Sequence, residues 1–428
     1  MNFSDTIAAV ATAPGRGGVA VVRVSGPDAF DVARKLSGRM FSAADAGRFF
    51  FREFRDASGG VVDSGLVLVF KAPASYTGED VVEFQGHGGS VTPRRVLEAC
   101  FAAGARPARR GEFTERAFLN GKLDLSAAEA VIDLVDARTV RAADDAQARL
   151  RGALSERYEA LYAEAVAVSS GMEYLLDVDE GDVPEGTAER YSNEIAGLKE
   201  RISSLLSTAH EGKILRDGAL VVLAGEPNSG KSSLMNALLG ENRAIVSDVA
   251  GTTRDSIEEG LDIDGWPVRL VDTAGLRETD DAIEAEGVER AAGLMEKADI
   301  VVALDCDIPG SVRVHAKCDL DEEGMSAGDG VIRVSSKTGE GLRELKDAVA
   351  ARLAELSSGT SEEAADVTVR HAELLGKALA SVEGVDPSDP VLAANALRNA
   401  ARSIGEIVGK TYSDDLLDAL FSRFCVGK

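Results

Sequence analysis

Residues 225–233 read Gly-Glu-Pro-Asn-Ser-Gly-Lys-Ser-Ser, and the spacing G-x-x-x-x-G-K-S is that of a loop able to hold phosphate. Glycine lets the backbone turn tightly, so that successive N–H groups and the start of the following helix face one anion. Lys231 suits the β- and γ-phosphates of a triphosphate, and Ser232 suits magnesium. The apolar run Ala219-Leu220-Val221-Val222-Leu223-Ala224 before the loop reads as a buried strand, and residues 232–240 read as a helix. A plain glycine turn is the bland alternative, but glycines, lysine and serine all in register favour a nucleotide. Asn228, Ser229, Gly230, Lys231, Ser232 and Ser233 are its expected contacts.

Phosphate loops serve ATPases and GTPases alike, so the choice of base is read elsewhere. Asp272-Thr273-Ala274-Gly275 follows the apolar stretch 268–271; an aspartate at a strand end suits a magnesium site, and glycine there lets the backbone approach the γ-phosphate. Upstream, Gly251-Thr252-Thr253-Arg254-Asp255 supplies the Thr253 hydroxyl as a second magnesium ligand. Downstream, Lys317-Cys318-Asp319 and Ser335-Ser336-Lys337 each end an expected strand. A carboxylate such as that of Asp319 accepts from the ring N–H and the exocyclic amino group of guanine, a donor pair that adenine lacks. The order of these motifs is that of a GTPase.

Two positions depart from the usual pattern. GTPases of this type carry asparagine at the first position of N-K-x-D, where it contacts the base and ties loops together; here the residue is Ala316. Losing such bonds costs about 1–3 kcal/mol when a partner is left unmet, so weakened GTP affinity is expected, with guanine preference kept by Asp319. Leu276 stands where Ras-like enzymes place a water-orienting glutamine. Leucine cannot orient water by hydrogen bonding, and the acidic residues Glu278, Asp280, Asp281, Glu284 and Glu286 lie within loop distance; taken residue by residue, a solvated face is the favoured reading of such a run.

At 428 residues the chain is too long for one core. Residues 1–119 mix strand-like runs (18–24, 66–70 and 81–84) with one amphipathic segment at 94–103, which predicts an α+β domain. Residues 120–216 turn helical. Ser126 and Glu129 predict a capping box, and Leu150, Leu154, Tyr158, Leu161, Ala165, Val168, Met172 and Leu175 share one helix face, as do Ile195, Leu198, Ile202 and Leu205. Residues 217–356 alternate strand and helix as a parallel sheet requires. Residues 357–428 are helical again, after an acidic, small-residue linker from Ser357 to Ala365. An α/β nucleotide domain inserted into an all-α domain is the economical arrangement.

The net charge of −25 argues against broad attraction to nucleic acid, but it is uneven, at +2 over residues 1–120 and −27 beyond. Arg94, Arg95, Arg106, Arg109, Arg110 and Arg116 are the candidates for a polyanion contact outside the phosphate loop, with ordinary solvated surface as the equal alternative. Cys100, Cys306, Cys318 and Cys425 show no paired metal-ligand spacing, and no apolar run approaches the ~20 residues that span a bilayer. A cytoplasmic, reduced protein is expected.

Further motifs carry a resemblance that runs from end to end: Ala13-Pro14-Gly15-Arg16-Gly17-Gly18, Tyr76-Thr77-Gly78-Glu79-Asp80, Gln85-Gly86-His87-Gly88-Gly89, Gly111-Glu112-Phe113-Thr114, Asn120-Gly121-Lys122-Leu123-Asp124 and Phe424-Cys425-Val426-Gly427-Lys428. With the GTPase motifs in order between them, the chain resembles the MnmE (TrmE) family of bacterial tRNA modification GTPases. The phosphate loop alone is shared by a vast class, whereas Cys-x-Gly-Lys combined with the N-terminal motifs is highly specific.

The resemblance implies a tetrahydrofolate-binding and dimerisation domain over 1–119, a helical domain in two parts over 120–216 and 357–428, and an inserted Ras-like G domain over 217–356. It implies 5-formyl- or 5,10-methylene-tetrahydrofolate held by Arg23, Glu83, Lys122 and Lys428. It also implies potassium held by Asn228, Ser247, Val249 and Thr252 within a nucleotide-contacting stretch that includes Asp248, Ala250 and Gly251. Glu284 matches the family's water-orienting acid. The family is a homodimer that works with the flavoprotein MnmG, FAD and NADH, in a heterotetramer, to install a (carboxymethyl)aminomethyl group on C5 of the wobble uridine of certain tRNAs. Cys425 is either a nucleophile or a packing residue. A ribosome-assembly or signalling switch with no chemistry beyond GTP hydrolysis is the competing reading, and a folate-dependent methyltransferase that works without the flavoprotein is a third.

Overall fold

The computed structural model describes residues 4–178, 183–242, 258–272, 293–321, 328, 330–357 and 365–428. They fall into two compact units, Met1–Ile132 with Val408–Lys428, and Asp133–Ile407.

The first unit is built on a six-stranded sheet: β1 (Ile7–Val10), β2 (Val19–Ser25), β3 (Phe49–Arg55), β4 (Val61–Phe70), β5 (Val81–His87) and β6 (Arg106–Pro107), in the order β3-β4-β5-β2-β1-β6. All pairs are antiparallel except β1 with β6. Along β4 only alternate side chains are fully buried, the mark of a sheet covered on one face. The helices Ala29–Ser37 and Thr92–Ala102 supply the cover, packing Val32, Leu36, Val96 and Cys100 against Val22, Val24, Val67, Val69 and Phe84. Three expected strands are thus joined by three more, and the expected segment at 94–103 is a helix beginning at Thr92.

The helix Leu125–Asp136 does not begin with the expected capping box. Asp124 Oδ1 accepts from the Ala127 N–H at 2.8 Å, while Ser126 lies within the first turn and is fully buried. Asp124 therefore caps the helix, one of the side chains best suited to that position.

In the second unit the helices Val140–Leu150, Ala153–Leu176, Thr187–Ser207, Ala209–Asp217, Val369–Val382 and Pro390–Val408 frame an α/β segment. The stripe from Leu154 to Met172 and that from Ile195 to Leu205 are buried, as their periodicity requires. Leu150 does not join the stripe, because Gly152, at φ +94°, separates two helices there. The helices before and after the α/β segment touch: Tyr158 Oη lies 3.2 Å from His371 Nδ1, both buried, and Ser169 Oγ donates to the Ala394 carbonyl at 3.1 Å.

The α/β segment holds β7 (Ala219–Gly225), β8 (Glu258–Ile263), β9 (Trp266–Asp272), β10 (Ile300–Leu304), β11 (Val312–Ala316) and β12 (Val331–Val334), in the order β12-β11-β10-β7-β9-β8. All neighbours are parallel except the β8–β9 hairpin, which turns at Asp264-Gly265 with φ +50° and +87°. Central β7 is buried along its apolar run. Helices Lys231–Asn242 and Leu342–Leu356 flank the sheet and share its core. The chain combines an α+β sheet domain, an all-α part and a Ras-like parallel sheet with helices.

Candidate functional site

The strand order reverses at β7, with β9 on one side and β10 on the other, and open α/β sheets form their ligand crevices at the carboxyl ends of strands where this happens. The phosphate loop leaves β7 at that point. Gly225 and Gly230 have φ +157° and +103°, and Asn228 has φ +64°. A Cβ on Gly225 would stand 2.7 Å from the Leu304 carbonyl, so glycine is required by space as well as by backbone. Lys231 is buried beneath the loop, its Nζ donating to the carbonyls of Gly225 at 2.9 Å and Glu226 at 2.7 Å.

Parallel pairing of β7 with β9 sets Leu223 against Asp272, which brings the end of β9 to the mouth of the loop. There Ser232 Oγ donates to Asp272 Oδ2 at 2.5 Å. The Ser232 hydroxyl, expected to ligate magnesium, is thus backed by a carboxylate, oxygen chemistry that suits such an ion.

The residues expected to read the base lie on neighbouring strand ends, and one of them reaches the phosphate loop. Lys317, itself at φ +58°, donates from Nζ to the Asn228 carbonyl at 2.6 Å and so lies against the phosphate loop. Asp319 sits in the short turn Cys318–Leu320 after β11, and its Oδ1 accepts from Ser335 Oγ at 2.7 Å. Ser335, fully buried after β12, in turn accepts from the backbone N–H groups of Lys337 and Thr338 at 3.3 and 3.2 Å. Ser336 and Lys337 belong to that same turn. Ser247, Asp248, Val249, Ala250, Gly251, Thr252, Thr253, Thr273, Ala274, Gly275, Leu276 and Glu284 lie outside the described residues.

A second polar cluster occupies the first unit. Arg23 and Glu83 face each other across β2 and β5, with Nε and Oε1 2.9 Å apart. The Arg23 guanidinium stands 5.3 Å from the Tyr76 ring centre and 5.6 Å from that of Phe113. The Phe113 N–H donates to the Lys428 carbonyl at 3.3 Å. Residues 424–428 are strapped to this region by the Arg110 side chain on the Phe424 carbonyl, at 3.0 Å, and by the Gly111 N–H on that of Cys425, at 3.3 Å. Lys122 donates to the Pro73 carbonyl at 3.2 Å, on the loop that carries Tyr76. Cys425 is exposed; burial pushes the Cys100 thiol well above its ordinary range.

Besides Arg110, which holds the Phe424 carbonyl, three of the arginines expected as polyanion candidates have carboxylate partners within the same unit. Arg116 is fully buried among Asp5, Glu79 and Glu112; Arg106 pairs with Asp5 and Glu112, and Arg109 with Glu115. Arg116 is therefore neither a polyanion contact nor solvated surface. Glu79, from the Tyr-Thr-Gly-Glu-Asp motif, also accepts from Ser25 Oγ at 2.7 Å, a bracing role its motif did not announce. His315 belongs to none of the motifs, yet its ring lies between two carboxylates, Asp305 and Asp321, next to the base-reading turn. Its only signal in the sequence is its place before Ala316.

A carboxylate that reads guanine while a serine from the next loop braces it is how P-loop GTPases choose their base, and the α/β segment is of that class. Residues 6–122 match the family described as GTP-binding protein TrmE N-terminus, and residues 125–425 that of the MnmE helical domain. The tRNA modification GTPases MnmE of Alkalilimnicola ehrlichii and Neisseria meningitidis serogroup B are each 43% identical, with 99% of both chains covered. That of Xanthomonas campestris pv. campestris is 42% identical over the whole of both. The chain belongs to the MnmE (TrmE) family of tRNA modification GTPases, and it is an enzyme of that class, a GTP hydrolase. Among solved structures, the FeoB G domain from Methanococcus jannaschii matches at 23% identity with a TM-score of 0.24, covering 32% of this chain and 98% of that one.

Proposed function

We propose that this GTPase is potassium-dependent and acts with the flavoprotein MnmG to add a (carboxymethyl)aminomethyl group at C5 of the wobble uridine of certain tRNAs, using a tetrahydrofolate one-carbon unit. The observation that carries the reading is the coexistence of two unlike sites in one chain. The second unit carries the nucleotide crevice, and the first carries the Arg23–Glu83 pair between Tyr76 and Phe113, strapped by residues 424–428. Aromatic walls with a carboxylate and cations suit a pterin and its carboxylates, since Glu83 can accept from the pterin's donor face while Arg23, Lys122 and Lys428 meet negative charge. A ribosome-assembly or signalling switch has no use for such a cluster.

In the crevice, Ser232 and Thr253 would hold magnesium with Asp272 behind them, and the ion offsets phosphate charge. Asn228, Ser247, Val249 and Thr252 would hold potassium, which supplies the positive charge that an arginine finger gives elsewhere. The positive φ and exposed side chain of Asn228 are compatible with that role. Glu284 orients the attacking water in place of the glutamine that Leu276 replaces. Cys425 is the candidate nucleophile of the modification chemistry. FAD and NADH enter through MnmG.

Phe49 and Phe51 stand 69% and 66% exposed on the edge strand β3, an apolar edge that a second copy can cover, which supports a homodimer and, with MnmG, a heterotetramer. No helix among the described residues is long and apolar enough to cross a membrane, in keeping with action in the cytoplasm. Nucleoside analysis of tRNA from cells lacking the gene tests the reading. Loss of the C5-modified wobble uridine is expected, and an unchanged nucleoside profile would contradict it.

A further inference from the structure

The turn that reads the base lacks its usual tie, because Ala316 has no side-chain group with which to hydrogen-bond. Its neighbour does. His315 Nδ1 lies 2.8 Å from Asp305 Oδ1, and Nε2 lies 3.0 Å from Asp321 Oδ1. Asp305 Oδ1 also accepts from the Ala316 N–H at 3.3 Å, and Asp321 Oδ2 pairs with Arg333 Nη2 at 2.8 Å. Asp305 follows β10, His315 lies in β11 and Arg333 in β12, where His315 and Arg333 are register partners. Asp321 closes the turn that carries Asp319, whose partner Ser335 follows β12. A row of alternating charge, Asp305, His315, Asp321 and Arg333, therefore runs across three neighbouring strands directly behind the guanine-reading loops.

We propose that His315 is a positioning residue for guanine recognition, a two-handed clamp that braces the Asp319 turn where Ala316 cannot. A neutral imidazole carries one N–H and can donate to only one carboxylate, so the full clamp requires the imidazolium. The hydrogen bond to Asp321, then that to Asp305, raises the His315 pKa above its ordinary 6.5 against a smaller effect of burial. Arg333, Arg313 and Asp307 are the other charged groups lining the same cavity. With the folded pKa raised, the clamp is complete below the ordinary pKa and is lost as pH rises through the folded one. Guanine binding then weakens on the alkaline side. The inference rests on Asp319 as the guanine reader, and the test separates the two.

The test is titration of the full chain with a fluorescent GDP analogue at pH 6.5 and 8.5, with inosine diphosphate as competitor, for wild type, His315→Gln, Asp321→Asn and Asp319→Asn. Circular dichroism melting identifies variants that fold. Wild type should lose roughly 3–10-fold in affinity between the two pH values, about the net worth of one ordinary intramolecular hydrogen bond. His315→Gln should be weak at both, with a smaller preference for GDP over inosine diphosphate, and Asp321→Asn should share its flattened pH response. A pH effect common to all four proteins belongs to the nucleotide. If Asp319→Asn weakens GDP binding but His315→Gln binds like wild type at both pH values, the clamp is overturned. If Asp319→Asn itself changes nothing, the base-reading assignment falls and the clamp with it.

Discussion

The Ser232 hydroxyl donates to Asp272 Oδ2 at 2.5 Å although 40 residues separate them. Parallel pairing of β7 with β9 makes the contact, since it places the helix after one strand beside the end of the other. If these oxygens share the work of a magnesium site, Ser232→Ala should lower magnesium-supported GTP turnover by about a hundredfold or more. Steady-state phosphate release over a magnesium series checks it; wild-type turnover in the variant would remove the serine from the site.

Asp319 is held by Ser335, so exchanging its carboxylate for an amide should leave the turn in place and change what it reads. Asp319→Asn should weaken GTP binding by roughly 10–100-fold, the cost of unmet donors on guanine. Because xanthine offers a carbonyl where guanine has its amino group, xanthosine triphosphate binding should rise. Competition titrations with the two nucleotides read both effects.

Ala316→Asn should restore the missing tie and tighten GTP binding by about 1 kcal/mol, roughly fivefold. A double-mutant cycle with His315→Gln should show coupling, because the new amide and the imidazole would brace one turn. Strict additivity would mean that the two act on separate structures.

Asp366 lies 9% exposed near Glu211 and Asp145, and its pKa is pushed up to about 7 by burial first and then by those two carboxylates. The ordinary value is 3.8, so the folded chain keeps a proton that the unfolded chain releases, and stability falls as pH rises between these values. Asp366→Asn removes the penalty. Its melting temperature should exceed that of wild type at pH 8 by on the order of a few degrees, and by less at pH 5; an equal gain at both would place the effect elsewhere.

The elements of the candidate crevice were legible in the sequence because their signals are local: Asp272 ends a strand, the loop, Asp319 and Ser335 each come after one, and parallel strands bring such ends together. The buried stripes from Leu154 to Met172 and from Ile195 to Leu205 were legible for the same reason, since a helix writes its inner face into residue spacing. Long-range placement was not. Gly152 divides a stripe that periodicity alone joins, Asp124 takes the cap that Ser126 imitates, and β3 hides in an aromatic and charged run that pairs only at the sheet edge. Arg116 looked like surface until Asp5 and Glu79, distant in sequence, closed around it. His315 carried no pattern at all, and its meaning comes from two aspartates on other segments.

Under the proposed function, a monovalent cation completes the nucleotide crevice when two chains meet. GTP turnover measured in potassium and in sodium, across a dilution series of the full chain, tests this most directly. Turnover several-fold faster in potassium, with specific activity falling as the chain is diluted, is the expected result. Equal rates in both salts at every concentration would contradict it.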